Sequence, residues 1–456
     1  MSERANRRRS FETGLSRADR EAAAALTVEL EAPLAEQVRH TRRDLHRFPE
    51  LGWCEFRTSC KIASTLGRLG WTVAHGQQVL RGERRWGVPT ADALQAECVR
   101  AVAQGAPPDM AKSMIGGFTG VMGSIEGGRP GPVIALRFDI DANQGIEATD
   151  QTHFPMRMGF ASENAGVHHN CGHDGHTAIG LGLARRLTDV AGDSVGEIRL
   201  IFQPAEEGVR GASAMIDAGV LTDVDYLIGC HIGAQARSTG EVVAGYDRLL
   251  ATTKFDTKFV GRTAHAGLAP SQGRNALLAA VTAIYGLTAI ARDGLGESRI
   301  NIGELVGGTA RNTIPGEAVL KGEVRGETDE LNQYVGDAAF RVMRGAAMMH
   351  DVDVTIERVG HASSADSDRR LATVIAGAAA KVNTVEQVVE SRAFDASDDM
   401  SSMMRAVQDQ GGQATYIGLG SRLAGGHHTP EFDFDERVLT IGVEVMCAVI
   451  DELLTQ

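Results

Sequence analysis

Between His168 and Thr177 the chain reads HHNCGHDGHT, with four histidines, one cysteine and one aspartate in ten residues. Cys171 and His173 are separated by a single residue, so a thiolate and an imidazole can reach one metal centre. Gly172 and Gly175 leave room for backbone to pass close to an ion. The run AIGLGLARRL that follows is small, apolar and helical, which puts the cluster at or just before a helix start. The competing reading is a polar loop of solvated histidines. What separates the two is whether other segments also deliver ligand-type residues.

Three do. IALRFDIDA (134–142) is a mostly apolar strand ending in Asp139 and Asp141, and open α/β sheets place their sites at the carboxyl ends of strands. EIRLIFQPAEEG (197–208) is a buried strand, then Pro204, then the pair Glu206–Glu207. YLIGCHIG (226–233) is another apolar strand, ending on His231. This recurrence speaks against the solvated loop.

At about residue 250 the pattern changes. ATTKFDTKFVGRTAHAG alternates apolar and polar residues, as a half-solvated antiparallel strand does. A helix over 275–291, strands in RINIGELVGG and EAVLKGEVRGE, a helix over 330–350 and a strand in DVDVTIERV complete a βαββαβ order. The expected architecture is α/β: a discontinuous catalytic domain (1–249 and 361–456) with a mixed sheet flanked by helices, plus an inserted α+β, split-βαβ lid or dimerisation domain (250–360). Such an insert explains how His428, in the C-terminal GGHHTPEFDFDERVL, returns to ligands far away in sequence.

The N-terminal part contributes an amphipathic helical pattern over 19–45, interrupted at Pro33 so that two helices are possible. HRFPELGWCEFRTS breaks at Pro49 and resumes as a helix to Leu69. Residues 76–117 are polar and hold three prolines and a short helical piece near 91–103, an insertion between a helix and the next strand. The Gly/Pro turn at 127–132 separates two further strands.

With 456 residues, two domains are expected. A net charge of -13 repels nucleic acid and anionic membranes, so neither is an expected partner. Six scattered cysteines without a CxxC pair argue against a disulfide framework. No apolar run is long enough to span a membrane, and the polar, basic start lacks a signal-type apolar core; the expected location is cytoplasmic, with a frayed N-terminal tail.

Two divalent ions need five or six protein ligands with positions left open for water and substrate. Cys171, His173, Glu207, His231 and His428 supply five. Glu206 is then left over beside Glu207, where a general base belongs; on a strand the two would point to opposite sides. Asp139 and Asp141 read as acceptors that orient a histidine, His168, His169 and His176 as packing or hydrogen-bonding residues, and Cys230 as a small buried residue. A dinucleotide-binding GxGxxG after a strand and a GxSxG nucleophile elbow are both absent.

HRFPELGWCEFRTS, FDIDA, NCGHDGHTA, FQPAEEG, GCHIG, GRTAHAG and GHHTPEFDFDE, in this order, resemble the M20 family of metallopeptidases and amidohydrolases from about Leu45 to Leu439. Cys171 with His173 resembles the aminoacylase/carboxypeptidase branch. The resemblance implies metal-assisted amide hydrolysis of N-acyl amino acids, acyl-glutamates first, with other N-acyl amino acids or dipeptides as the alternative. A non-catalytic partner subunit is a further alternative, against which the intact base and ligands speak. The resemblance implies Mn2+ or Zn2+ at Cys171, His173, Glu207, His231 and His428, with Glu206 as base. It implies that His265 reaches a neighbouring subunit's site, and that Arg325 receives a substrate carboxylate beside Asn312. Arg311 is the reserve for that role. The assembly implied is a homodimer or a heterodimer with a homologous B subunit. SDDM (397–400) departs from the branch's SEDF, which puts a supporting role for the shorter Asp398 in doubt.

Overall fold

The computed structural model describes residues 30–189 and 195–455. Its two larger sheets are built from β1 (Thr72–His75), β2 (Val121–Glu126), β3 (Arg129–Asp139), β4 (Val195–Gln203), β5 (Tyr226–Ile232), β6 (Glu241–Val243), β7 (Ala251–Val260), β8 (Ser298–Gly307), β9 (Glu317–Gly326), β10 (Asp353–Ala362), β11 (Gln387–Val389) and β12 (Gln413–Leu419). The longer helices are α1 (Ala32–Arg47), α2 (Phe56–Arg68), α3 (Ala91–Ala103), α4 (His173–Thr188), α5 (Ala276–Thr288), α6 (Asp329–Met349), α7 (Arg369–Ala379), α8 (Met400–Asp409) and α9 (Arg437–Leu454).

The eight-stranded sheet has the order β1-β2-β4-β3-β5-β12-β6-β11. Its centre, β4-β3-β5-β12, is parallel, and these strands are apolar on both faces because helices cover both. The strands flanking the Gly/Pro turn do not pair with each other. β4 lies between them, antiparallel to β2 and parallel to β3. Pro130 and Pro132 have no N–H to give a hairpin ladder, and the β3 register shifts between Arg129 and Val133.

Helix α4 sits tightly on this sheet. A Cβ added at Gly180 would lie 2.7 Å from the Phe138 ring and 2.8 Å from that of Phe202, and one at Gly182 would lie 2.6 Å from Val38 on α1. The glycines of GLGLA therefore serve close helix packing, and this packing fixes His173, the first residue of α4, beside the end of β3. Helix α1 carries Pro33 in its first turn and runs unbroken to Arg47; the rest of the expected 19–45 pattern lies outside the described residues. Segment 76–117 joins two strands, β1 and β2, rather than a helix to a strand, and contains α3 as expected. It packs Leu94, Cys98 and Met114 into the same core as Trp53, whose Nε1 donates to the Trp86 carbonyl at 2.8 Å.

Residues 251–362 follow the expected order. β8-β9-β7-β10 form an antiparallel sheet, and α5 and α6 cover one face. Phe255, Phe259, Leu320, Val335 and Met343 make a core of their own there. Asn275 and Thr328 cap the two helices, accepting from the N–H groups of Leu278 and Leu331. β8 ends the sheet as an edge strand. No helix among the described residues is long and apolar enough to cross a membrane.

Candidate metal centre

The carboxyl ends of β3, β4 and β5 and the start of α4 meet at one place. His173 donates from Nδ1 to the Asp141 carbonyl at 2.9 Å, which presents Nε2 to the centre; this buried atom has no hydrogen-bond partner among the described residues. His231 is held the same way, Nδ1 on the Ile232 carbonyl at 2.9 Å and Nε2 3.5 Å from the Cys171 sulfur. Imidazoles anchored through one nitrogen to a carbonyl, with the other aimed at a shared thiol, are arranged as metal ligands are. The ligand-type atoms of Cys171, His173 and Glu207 lie within 4.8 Å of one another, and so do those of Cys171, His231 and His427. Two overlapping groups sharing Cys171 suit a pair of ions better than a single one.

Glu206 and Glu207 lie in a turn rather than on a strand, so strand alternation is not what separates them. The turn is enforced from outside. Ala205 is buried in the left-handed region (φ 51), and its N–H donates to Glu55 at 2.8 Å. Asp141 accepts from the N–H groups of both glutamates at 3.0 Å. As a result Glu207 faces Asn143, His428 (3.3 Å) and Cys171, whereas Glu206 faces Asp398 and Asp399.

Their ionisation differs accordingly. Burial, then the charges of Asp398, Glu207 and Asp399, push the Glu206 carboxyl well above the usual range. Burial would also raise Glu207, but the hydrogen bond from His428 and the charge of His173 hold it down to about 2. Hydrogen bonds to Cys171 and Glu207 push His428 up to about 10. Burial raises the Cys171 thiol, with Glu207 adding to it. Such a concentration of buried carboxylates is a field that a cation neutralises.

Asp139 accepts from His176 Nδ1 and Arg137, both at 2.5 Å, and His176 Nε2 accepts from the Ile232 N–H at 2.9 Å. Both nitrogens of His176 are thus committed to holding the end of β5. Asp398, despite its shorter side chain, accepts from Tyr416 Oη at 2.5 Å and the Met400 N–H at 2.8 Å, and Asp399 accepts from Gln203 at 2.7 Å. His168 and His169 are buried, and Cys230 is a fully buried thiol.

A cleft of about 680 Å³ opens over these residues and is lined by Cys171, Glu206, Glu207, His231, His427 and His428, and also by Lys254, Arg325, Phe394 and Ser397. A larger cavity of about 1000 Å³, beside Asp433 and Arg437, is lined by none of Cys171, His173, Glu206, Glu207, His231, His427 and His428. Arg325 and Lys254 both hold Glu323, at 2.8 and 2.9 Å, so the trio leaves one net positive charge at the cleft. His265, Arg311 and Asn312 are exposed and do not line the cleft of their own chain. His265 pairs with Thr313, and its Nδ1 accepts from the N–H groups of Gly267 and Leu268 at 3.1 Å, which leaves Nε2 as its donor. Sequence reading passed over His427, although the HH doublet itself was the signal. It also passed over Lys254, Asn143 and Glu55, which carry no signal without the fold.

Residues 135–452 match the model of peptidase family M20/M25/M40. The chain belongs to that family. M20 membership makes it a hydrolase of amide bonds. It is 47% identical over 414 residues to the A subunit of p-aminobenzoyl-glutamate hydrolase from Escherichia coli (strain K12), covering 91% of this chain and 95% of that one. It is 46% identical, with the same coverage, to indole-3-acetyl-aspartic acid hydrolase of Enterobacter agglomerans. Among solved structures, an aminobenzoyl-glutamate utilization protein from Klebsiella pneumoniae superposes with a TM-score of 0.80 at 40% identity, over 91% of this chain and 96% of that one. A Bacillus subtilis protein described as a dinuclear metal binding peptidase of family M20 superposes with a TM-score of 0.65 at 25% identity, over 93% and 100%. These findings agree with the M20 resemblance of the sequence motifs and, within the family, with a likeness to the A subunit of p-aminobenzoyl-glutamate hydrolase.

Proposed function

We propose that this M20 enzyme hydrolyses the amide bond between an aromatic acyl group and an acidic amino acid, with p-aminobenzoyl-glutamate the first substrate to test. The observation that carries this reading is the buried Glu206 beside the Cys171, His173, Glu207, His231 and His427/His428 set, facing a cleft that Arg325 and Lys254 also line. The two relatives of nearly equal identity are named for a glutamate and an aspartate conjugate, each with an aromatic acyl part. Phe394 offers the cleft an aromatic surface.

The ligand set fits two divalent ions, Mn2+ or Zn2+, held by Cys171, His173, Glu207, His231 and His428. When bound there, such ions would supply Lewis-acid polarisation of a carbonyl and would lower the pKa of water and of the acids around them. Glu206 accepts the proton of the attacking water and delivers it to the leaving amine. Asp141 keeps Glu206 and Glu207 diverging, and Asp139 with His176 keeps His231 in place. Arg325, backed by Lys254, receives a substrate carboxylate; Asn312 and the reserve candidate Arg311 lie outside the cleft of their own chain and reach substrate only in a partner's site. Residues 250–360 act as a lid over the remainder of the chain.

The substrate assignment is tested by assaying the metal-loaded chain, alone and with any homologous B subunit, against p-aminobenzoyl-glutamate, indole-acetyl-aspartate and acetyl amino acids. Equal turnover of neutral acetyl amino acids would remove the acidic specificity. Arg325→Lys keeps the charge but loses the bidentate fork. It is expected to lower kcat/KM for the acyl-glutamate at least ~10-fold more than for its amide-capped counterpart. Equal losses would make Arg325 structural.

The exposed His265 and the edge strand β8 support a partner that completes the site, either a second copy or a B subunit. His265 then donates from Nε2 to the oxyanion across the interface. His265→Ala and Glu206→Gln chains, each nearly inactive, are expected to regain up to about a quarter of wild-type activity when mixed and allowed to exchange, since random pairing leaves one intact site in each mixed dimer. No recovery after exchange verified by mass would place His265 outside the partner's site.

A further inference from the structure

The ligand-type atoms of this centre come from segments far apart in sequence. Cys171 and His173 lie at the entrance to α4, and His427 and His428 lie on the segment 424–436. The two segments touch directly where the His428 N–H donates to the Asn170 carbonyl at 2.9 Å. Beneath that contact both are rooted on one side chain. Arg42, on α1, is fully buried. Its Nε donates to Asp174 at 2.9 Å, its Nη2 to Asp433 at 2.6 Å and its Nη1 to Glu436 at 3.4 Å. Asp174 follows His173 and also accepts the Gly175 N–H at 2.9 Å in the first turn of α4. Asp433 sits where the His427–His428 loop closes, its carbonyl accepting the Ala424 N–H at 2.8 Å, with Leu423 and Phe434 bridging alongside. The Phe434 ring, 4.3 Å from the guanidinium carbon, fixes the plane of the fork.

The geometry points to Arg42 as a positioning residue of the metal centre, one planar guanidinium that sets the separation between the Cys171–His173 entrance and the His427–His428 loop. This rests on the proposed metal-binding reading. Arg42 does not line the cleft, so it acts only through the residues it holds. A lysine cannot copy it, because an ammonium is a point charge on a flexible stem and cannot span carboxylates lying in different directions. The fold does not depend on Arg42 alone. Asp174 keeps His46 Nδ1 at 2.8 Å, and Glu436 keeps Arg43 Nη2 at 2.6 Å. Asp433, and with it the histidine loop, is the partner that Arg42→Lys leaves loose.

The test compares wild type, Arg42→Lys, Asp433→Asn and the double variant. Zn2+ affinity is read by chelator competition, the Co2+-substituted protein by its thiolate absorption band, and the fold by melting of chelator-stripped protein. Supporting tethers of ligands typically contribute ~10–100-fold in metal affinity, and a loss of that size is expected in each single variant, with a shifted Co2+ band. The double variant is expected to be no worse than the weaker single one, because both break one link. Unchanged affinity in a folded Arg42→Lys chain, or fully additive losses, overturns the proposal. If Arg42→Lys does not fold, Asp433→Asn decides alone, and wild-type affinity there overturns it. A wild-type chain that binds no Zn2+ or Co2+ would instead remove the metal reading itself, an outcome distinct from equal binding by all four proteins.

Discussion

Glu206→Gln is expected to lower kcat by roughly 10²–10⁴ while bound metal stays at the wild-type level. The substitution keeps the size of the side chain and removes its ability to take a proton. Because burial and the charges of Asp398, Glu207 and Asp399 already favour the neutral form of Glu206, a neutral amide fits the same surroundings. The chelator-stripped variant should therefore melt at or above the wild-type temperature. This separates a lost base from a damaged fold. Elemental analysis and calorimetry check both halves. Turnover near wild type with metal bound would end the assignment of Glu206 as base.

The second large effect is metal removal. Stripping the protein with a chelator is expected to abolish hydrolysis, and Mn2+ or Zn2+ is expected to restore it. The pH dependence has a definite sign. Burial raises the Cys171 thiol, and the bonds to Cys171 and Glu207 hold a proton on His428 up to about 10. Both must lose their protons to bind metal. Affinity should therefore fall as pH falls, by about tenfold per pH unit for each proton displaced. Metal content after equilibrium dialysis at several pH values measures this slope. Full activity in protein shown to be metal-free would refute the scheme.

Much of the fold was legible because its signals are local. The alternation in β7, the apolar runs of β3, β4 and β5, and the order of elements over 251–362 all follow from residue periodicity. The pairing of strands was not legible in the same way. Nothing in residues 121–139 announces that β4 will separate β2 from β3, since that partner comes from 195–203. The site divides similarly. Cys171, His173, Glu207 and His231 stand out as ligand types at strand ends and a helix start, and the structure brings them together. Which residue of the HH doublet turns inward is a matter of loop conformation, and here His427 lies beside Cys171 and His231 while His428 reaches Glu207. The roles of Asp141, Glu55 and Arg42 rest on bonds to residues up to 394 positions away, which no local pattern encodes. His265, Arg311 and Asn312 came from resemblance alone, and in the single chain they lie apart from the cleft.

The position of β12 bears on how this chain is made. β12 lies in the middle of the eight-stranded sheet, hydrogen-bonded to β5 along its whole length, yet the residues that form it, 413–419, are synthesised long after β5 at 226–232. Until the ribosome has released them, β5 is an open, apolar parallel edge, and the sheet cannot close. Pairing between such distant segments is slow, and an edge left exposed during that interval is prone to associate with other chains. The same delay orders assembly. Cys171, His173 and His231 are in place early, but His427 and His428 follow β12. The completed centre therefore appears only in chains extended past residue 428, and products that stop before it carry half a site.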